Sequence, residues 1–167
     1  MIKMWICSVC KHVAFGAQAP DKCPVCGVGT EKFSEFNGVQ GVKGTRTEEN
    51  LKSAFAGESQ ANRKYLAFAL QAELAGNQEA AAAFRQAAED ETAHAHAEFA
   101  LLGLVGDTKA NLQAAIDGEA YEDEHMYPEF AKTAREEGFE DIAKYFEAVA
   151  RHERRHAKKY GEILAKL

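Results

Sequence analysis

Nowhere does this 167-residue chain carry an apolar run near the roughly 20 residues that a helix needs to cross a bilayer. A helical membrane anchor is therefore not expected. Positive charge is also in deficit: 20 Lys and Arg stand against 26 Asp and Glu, for a net charge of −6. With no basic stripe to override that average, a nucleic-acid partner is not expected either. Proline occurs only at Pro20, Pro24 and Pro128, so most of the chain is free to form long helices. Cysteine is absent after Cys26. The first residues, Met1 to Ile6, run straight into cysteines with no signal-like apolar segment, so the expected compartment is the cytoplasm.

The four cysteines that do occur form two C-x-x-C pairs, Cys7/Cys10 and Cys23/Cys26. In a reducing compartment this spacing reads as a tetrahedral thiolate metal site rather than as disulfides. Zinc and iron both accept four thiolates, so the spacing does not choose between them. About 36 residues cannot build an independent apolar core, and a metal would have to hold this segment together. The segment 37–47, with three glycines, reads as a linker. The expected domains are 1–36, a four-cysteine module; 37–47, a linker; and 48–167, a helical bundle.

From Thr47, a candidate N-cap, the pattern is helical. Helices are predicted over about 48–75, 78–103, 109–136 and 139–166, with short connections, which is the plan of a four-helix bundle. Pro128 is expected to kink the third helix. Apolar residues step by three and four along each helix, as in Ile142, Phe146, Val149, then Tyr160, Ile163, Leu167. Acidic and imidazole residues interrupt each seam within its run: Glu58; Glu91 and His94; Glu119 and Glu122; Glu153 and His156. A weak internal repeat relates the pairs Glu91/His94 and Glu153/His156, 62 residues apart.

Residues i and i+3 share a helix face, so each Glu-x-x-His offers an oxygen and a nitrogen to one small volume. Burying several ionised carboxylates together costs several kcal/mol per ion unless cations lie between them. Two divalent ions would offset that charge, and mixed carboxylate and imidazole donors suit iron or manganese better than zinc. The pattern of one Glu from each of two helices, plus Glu-x-x-His from each of the others, is that of ferritin-like di-metal bundles. His125, although it lies three residues after Glu122, points round the helix; it is set aside with His12, His96 and His152. Glu98, one turn past His94, is left out of the ligand set. Tyr65 and Tyr127 lie on or beside the seams as core aromatics or as hydrogen-bond partners of a ligand carboxylate.

The runs Ala54 to Ala61, Gly118 to Glu122 with Met126-Tyr127-Pro128, Ala134 to Gly138, and Ala19 to Pro24 resemble the rubrerythrin family over nearly the whole chain. With the cysteine module first, the order resembles the reverse rubrerythrins. The resemblance implies an all-α ferritin-like four-helix bundle with a small N-terminal rubredoxin-like domain. It further implies one iron on Cys7, Cys10, Cys23 and Cys26, and two on the carboxylate and histidine set. The implied activity is a cytoplasmic peroxidase that reduces hydrogen peroxide to water in oxidative-stress defence, with electrons relayed through the four-cysteine iron. The implied donor is a reductase or rubredoxin fed by NAD(P)H. Electron transfer needs the two sites close, which a flexible linker does not guarantee; a homodimer pairing one subunit's cysteine module with the other's bundle would bring them together. Glu91 and Glu153 would bridge the irons, Glu58 would be terminal on one, and Glu119 with His156 on the other. Glu122 and His94 would alternate with oxidation state. A ferritin-like ferroxidase or iron-handling protein is the alternative, and a zinc-ribbon regulatory module a third reading. The family usually has Gly after the second cysteine. Lys11 stands there, where a knuckle needs positive φ, at an expected cost of about 1–2 kcal/mol.

Overall fold

The computed structural model describes residues 3–36 and 41–167. Residues 37–40 of the expected linker lie outside the described residues. The chain divides into two compact units, Met1–Val105 and Gly106–Leu167.

The first unit begins with a three-stranded antiparallel sheet. Strands β1 (Lys3–Cys7), β2 (Val13–Gly16) and β3 (Phe33–Glu35) lie in the order β2-β1-β3. Ile6 pairs with Val13 and Ser34, so β1 is central and delivers Cys7 to the sheet's end. The indole N–H of Trp5 donates to the Gly16 carbonyl at 3.3 Å, tying β1 to the end of β2.

Helix α1 (Arg46–Leu74) starts two residues earlier than the sequence suggested. Its cap is Thr45, not Thr47. The Thr45 hydroxyl accepts from the Glu48 N–H at 3.3 Å, and the Glu48 carboxylate accepts from the Gly44 N–H. The reason is spacing: Thr45 has a glutamate three residues on, whereas Thr47 has Asn50. Helix α2 (Gln78–Leu101) returns after Gly76, whose φ of +76° lets the chain reverse within two residues.

Alanine sets the contact between the two helices. Ala81, Ala88 and Ala95, spaced by seven, are buried along with Ala69. Small side chains let the helices approach closely, and aromatics fill the flanks. Phe55 meets Phe99 with ring centroids 5.1 Å apart, and Phe84 meets Tyr65 at 6.2 Å and Phe68 at 5.5 Å. The larger seam traced from sequence, through Phe84, Glu91 and His94, runs beside this alanine stripe.

The second unit contains α3 (Thr108–Tyr121), a π-turn (Glu122–Met126), α4 (Tyr127–Glu136) and α5 (Glu140–Leu164). The third predicted helix is therefore broken. The departure begins at Glu122, ahead of Pro128: the Tyr127 N–H bonds to the Glu122 carbonyl, five residues back. Pro128 sits in the first turn of α4, where its missing N–H is tolerated. The core gathers Ala131, Ala134 and Ala143 under Phe146.

The Thr45→Ala variant is expected to lose about 1 kcal/mol of stability in urea denaturation. Lys52, and then the Gly44 N–H, hold the Glu48 carboxyl below its usual range. A depressed folded-state pKa means that this support is present at neutral pH and fades as pH falls through the carboxylate range. The penalty of Glu48→Gln, which removes that carboxylate, should therefore shrink in acid.

Candidate metal centres

The four cysteines form two knuckles of the same build. The Lys11 N–H bonds to the Cys7 carbonyl at 3.0 Å, and the Gly27 N–H to the Cys23 carbonyl at 2.9 Å. After each turn the chain crosses back: the Cys7 N–H meets the His12 carbonyl, and the Cys23 N–H the Val28 carbonyl. Each knuckle places the residue after its second cysteine at positive φ, Gly27 at +73° and Lys11 at +65°. Lys11 is the one non-glycine residue with positive φ among the described residues. The knuckle imposes this conformation on lysine as it does on glycine.

The sulfurs are free thiols, not disulfides. Cys7 and Cys26 approach to 3.7 Å, and Cys10 and Cys23 to 3.5 Å. A tetrahedral centre with metal–sulfur bonds of about 2.3 Å has edges of about 3.8 Å, so the set matches one metal ion. Cys7 and Cys23 are buried, Cys10 is partly exposed and Cys26 exposed. The N–H of Cys10 holds the Cys7 thiol down to about 7 against the opposing effect of burial, favouring the thiolate that binds metal.

Each helical unit carries its own triad. Glu58, Glu91 and His94 form one group, and Glu119, Glu153 and His156 the other, each with ligand atoms within 4.8 Å of one another. The Nδ1 of His94 lies 2.8 Å from Glu91, and that of His156 lies 2.7 Å from Glu153 and 3.5 Å from Glu119. The carboxylates are half-buried and the imidazoles exposed within their own units, less enclosed than a bundle-core reading suggested.

Charge crowding is visible in both triads. The Glu58 carboxyl is pushed up, first by its hydrogen bond with Glu91 and then by burial. Glu119 is pushed up by burial and then by Glu153. Two carboxylates in contact must share either a proton or a metal ion. A donor set of two carboxylates and an imidazole suits a divalent iron.

Glu122 stands outside the second group, half-buried on the π-turn. Tyr127 follows that turn. Its phenol is pushed up by burial, then by Glu122 and Glu153, and its ring meets Phe146 at 6.0 Å. Tyr65 instead belongs to the aromatic flank beside Phe68 and Phe84. Among the residues set aside, His125 is exposed beside Tyr121, and His96 meets Phe15 edge-on at 6.5 Å.

Sequence models of known families match in two blocks. The one described as Rubrerythrin covers residues 49–164, and the one described as Rubrerythrin, rubredoxin-like domain covers residues 5–34. The chain belongs to the rubrerythrin family. Its fold class is thus a ferritin-like helical domain with a small N-terminal rubredoxin-like strand domain. The four-cysteine set and the carboxylate–histidine groups fit that family's iron centres. A rubrerythrin of Porphyromonas gingivalis is 40% identical over 81% of this chain and 73% of its own length. One from Nitratidesulfovibrio vulgaris is 40% identical over 73% of this chain and 71% of its own length. Reverse rubrerythrin-1 of Clostridium acetobutylicum is 34% identical over 98% of this chain and 97% of its own length.

Two features of this rubrerythrin-family chain escaped the sequence reading. Within the first unit, the cysteine module rests on α2 of its own chain, the knuckle sharing with that helix a cavity of about 330 Å³ lined by Cys10, Lys11, His12, His94 and Glu98. No local pattern signals such a contact. The Oε2 atom of Glu98 is buried without a hydrogen-bond partner, and burial pushes its carboxyl up.

The Lys11→Gly variant should stabilise the cysteine module by about 0.5–1 kcal/mol, less than the full strain because glycine also loosens the unfolded chain. Lys11→Val should destabilise it. The denaturant midpoint for loss of thiolate-to-metal absorption measures both.

Proposed function

We propose that this protein is a cytoplasmic hydrogen peroxide reductase, a peroxidase using three irons: one on the four cysteines and two on the carboxylate–histidine set. The observation that carries the reading is the cavity shared by Cys10 of one centre and His94 of the other. It supports a short route between them inside one chain, where the sequence had pointed to a partner subunit's module. The chemistry that bound iron supplies is electron transfer: two electrons to the O–O bond and their replacement, one at a time, through the four-cysteine site.

The chain's own groups supply the rest. Cleaving peroxide to two waters consumes two protons as well as two electrons. Glu58 and Glu119, whose carboxyls are pushed above their usual range by neighbouring carboxylates and burial, would give up their protons as the metal ions enter. Glu91 and Glu153 are proposed as bridging ligands. Glu58 is proposed as terminal on one iron, and Glu119 with His156 on the other, while Glu122 and His94 exchange with oxidation state. An anionic oxygen favours the higher metal charge and a neutral nitrogen the lower, which gives that exchange a direction. Tyr127, beside Glu122 and Glu153, is proposed to steady a ligand carboxylate through its hydroxyl; Tyr65 has no such neighbour among its described ring contacts.

The proposed modules are 1–36, 37–47 and 48–167. The proposed assembly is a homodimer, and the proposed donor a reductase or rubredoxin fed by NAD(P)H. No helix of the described residues is long and apolar enough to cross a membrane. A ferritin-like iron store would leave the cysteine module with no task.

Stopped-flow mixing of anaerobically reduced protein with peroxide, and separately with oxygen, tests the reading. Fast oxidation by peroxide and slow oxidation by oxygen are expected; the reverse would favour a ferroxidase. Glu153→Ala should lose at least 100-fold in peroxide turnover, together with bound iron. Full turnover in that variant would overturn the site assignment.

A further inference from the structure

The two hairpins are related by the internal repeat, and the repeat extends beyond the ligand candidates. Glu58 corresponds to Glu119 and Asn62 to Asp123, while Glu91, Thr92 and His94 correspond to Glu153, Arg154 and His156. At this register each hairpin has a side-chain link between its two helices. In the first, the amide of Asn62 donates to the Ala88 carbonyl at 2.6 Å and to the Thr92 hydroxyl at 2.8 Å. In the second, the guanidinium of Arg154 forks onto Asp123, with Nε to Oδ2 at 2.8 Å and Nη2 to Oδ1 at 3.1 Å.

The two links differ in kind, and the difference accompanies a change in the backbone. Where the link is neutral, α1 runs unbroken from Arg46 to Leu74, and Ala61 occupies the position matching Glu122. Where the link is ionic, the helix opens into the π-turn and gains a glutamate. Asp123 is itself a residue of that turn and follows Glu122 directly; Arg154 follows Glu153 directly. The Asp123 side chain is only 7% exposed, although Arg154 is 71% exposed. A buried carboxylate left without its cation is costly, so the fork acts on the turn and not merely on the surface.

A π-turn sacrifices regular helix hydrogen bonding and needs outside support. The fork from α5 is the polar link to the turn that matches both its position and its absence from the first hairpin. We propose that Asp123 and Arg154 are positioning residues: their bidentate pair holds the π-turn open and thereby sets the Glu122 carboxylate relative to the Glu119, Glu153 and His156 group. The pair's two hydrogen bonds run between Asp123 and Arg154 alone. It acts through the backbone of the residues beside it, and it rests on the reading above only in treating Glu122 and Glu153 as ligands.

The test uses the full chain and two readouts. Hydrogen–deuterium exchange reports on the turn without reference to metal. Arg154→Ala should speed amide exchange in residues 122–127 by at least 10-fold, leaving α1 and α2 unchanged. Cobalt(II) titration, followed through its visible ligand-field bands, reports on ligand placement. Affinity at the carboxylate–histidine site should fall 10- to 100-fold in Arg154→Ala, with the thiolate-bound cobalt spectrum unaltered. Arg154→Lys keeps the charge but not the fork and should recover only part of both signals. Native exchange in 122–127 together with native cobalt binding would overturn the proposal, as would acceleration spread evenly over α3, α4 and α5. Glu153→Ala separates the two readings. It should lose cobalt while keeping protection at 122–127, and if it kept cobalt, the ligand assignment would fail while the exchange result still decided the clamp.

Discussion

Negative charge placed against negative charge is the constraint on which the rest depends. Glu58 lies against Glu91, and Glu119 against Glu153, each pair on two helices that have few other reasons to bring carboxylates together. Such contacts persist only with a proton or a metal ion between them. The surrounding design keeps the pairs in place: alanine stripes bring the helices close, and phenylalanine and tyrosine rings fill the flanks. A histidine one turn on in each second helix completes a donor set that a proton alone would not need.

The cysteine module obeys the same logic with softer donors. Its sheet is too small to bury a core, and its knuckles aim four sulfurs at one point. Backbone N–H groups favour the charged form of Cys7 before any metal arrives. The strain at Lys11 is the cost of a turn geometry that the sulfurs require, since Gly27 adopts the same conformation at the matching place. The module's contact with α2 ties soft donors and hard donors into one compact unit.

The two helical hairpins are unequal copies. The first has an unbroken helix, a neutral amide link and three ligand candidates. The second has a π-turn, an ionic link and four. The asymmetry concentrates on Glu122, which the family resemblance implies alternates with His94.

By itself the sequence determined the chemistry: four thiolates in two short knuckles, carboxylate and imidazole donors at i and i+3, and the helices that carry them. These are local spacings, and helix geometry or a tight turn converts a local spacing directly into a shared face. The tertiary structure decided the rest. It placed the break of the third helix on Glu122–Met126 rather than after it, where no residue type marks the change and a partner from α5, 31 residues away, is tied to the turn. It chose the alanine stripe over the larger seam for the closest helix contact, and it set the cysteine knuckle on α2. Each of these is a contact between segments distant in sequence, and its free energy depends on shapes that no single segment contains.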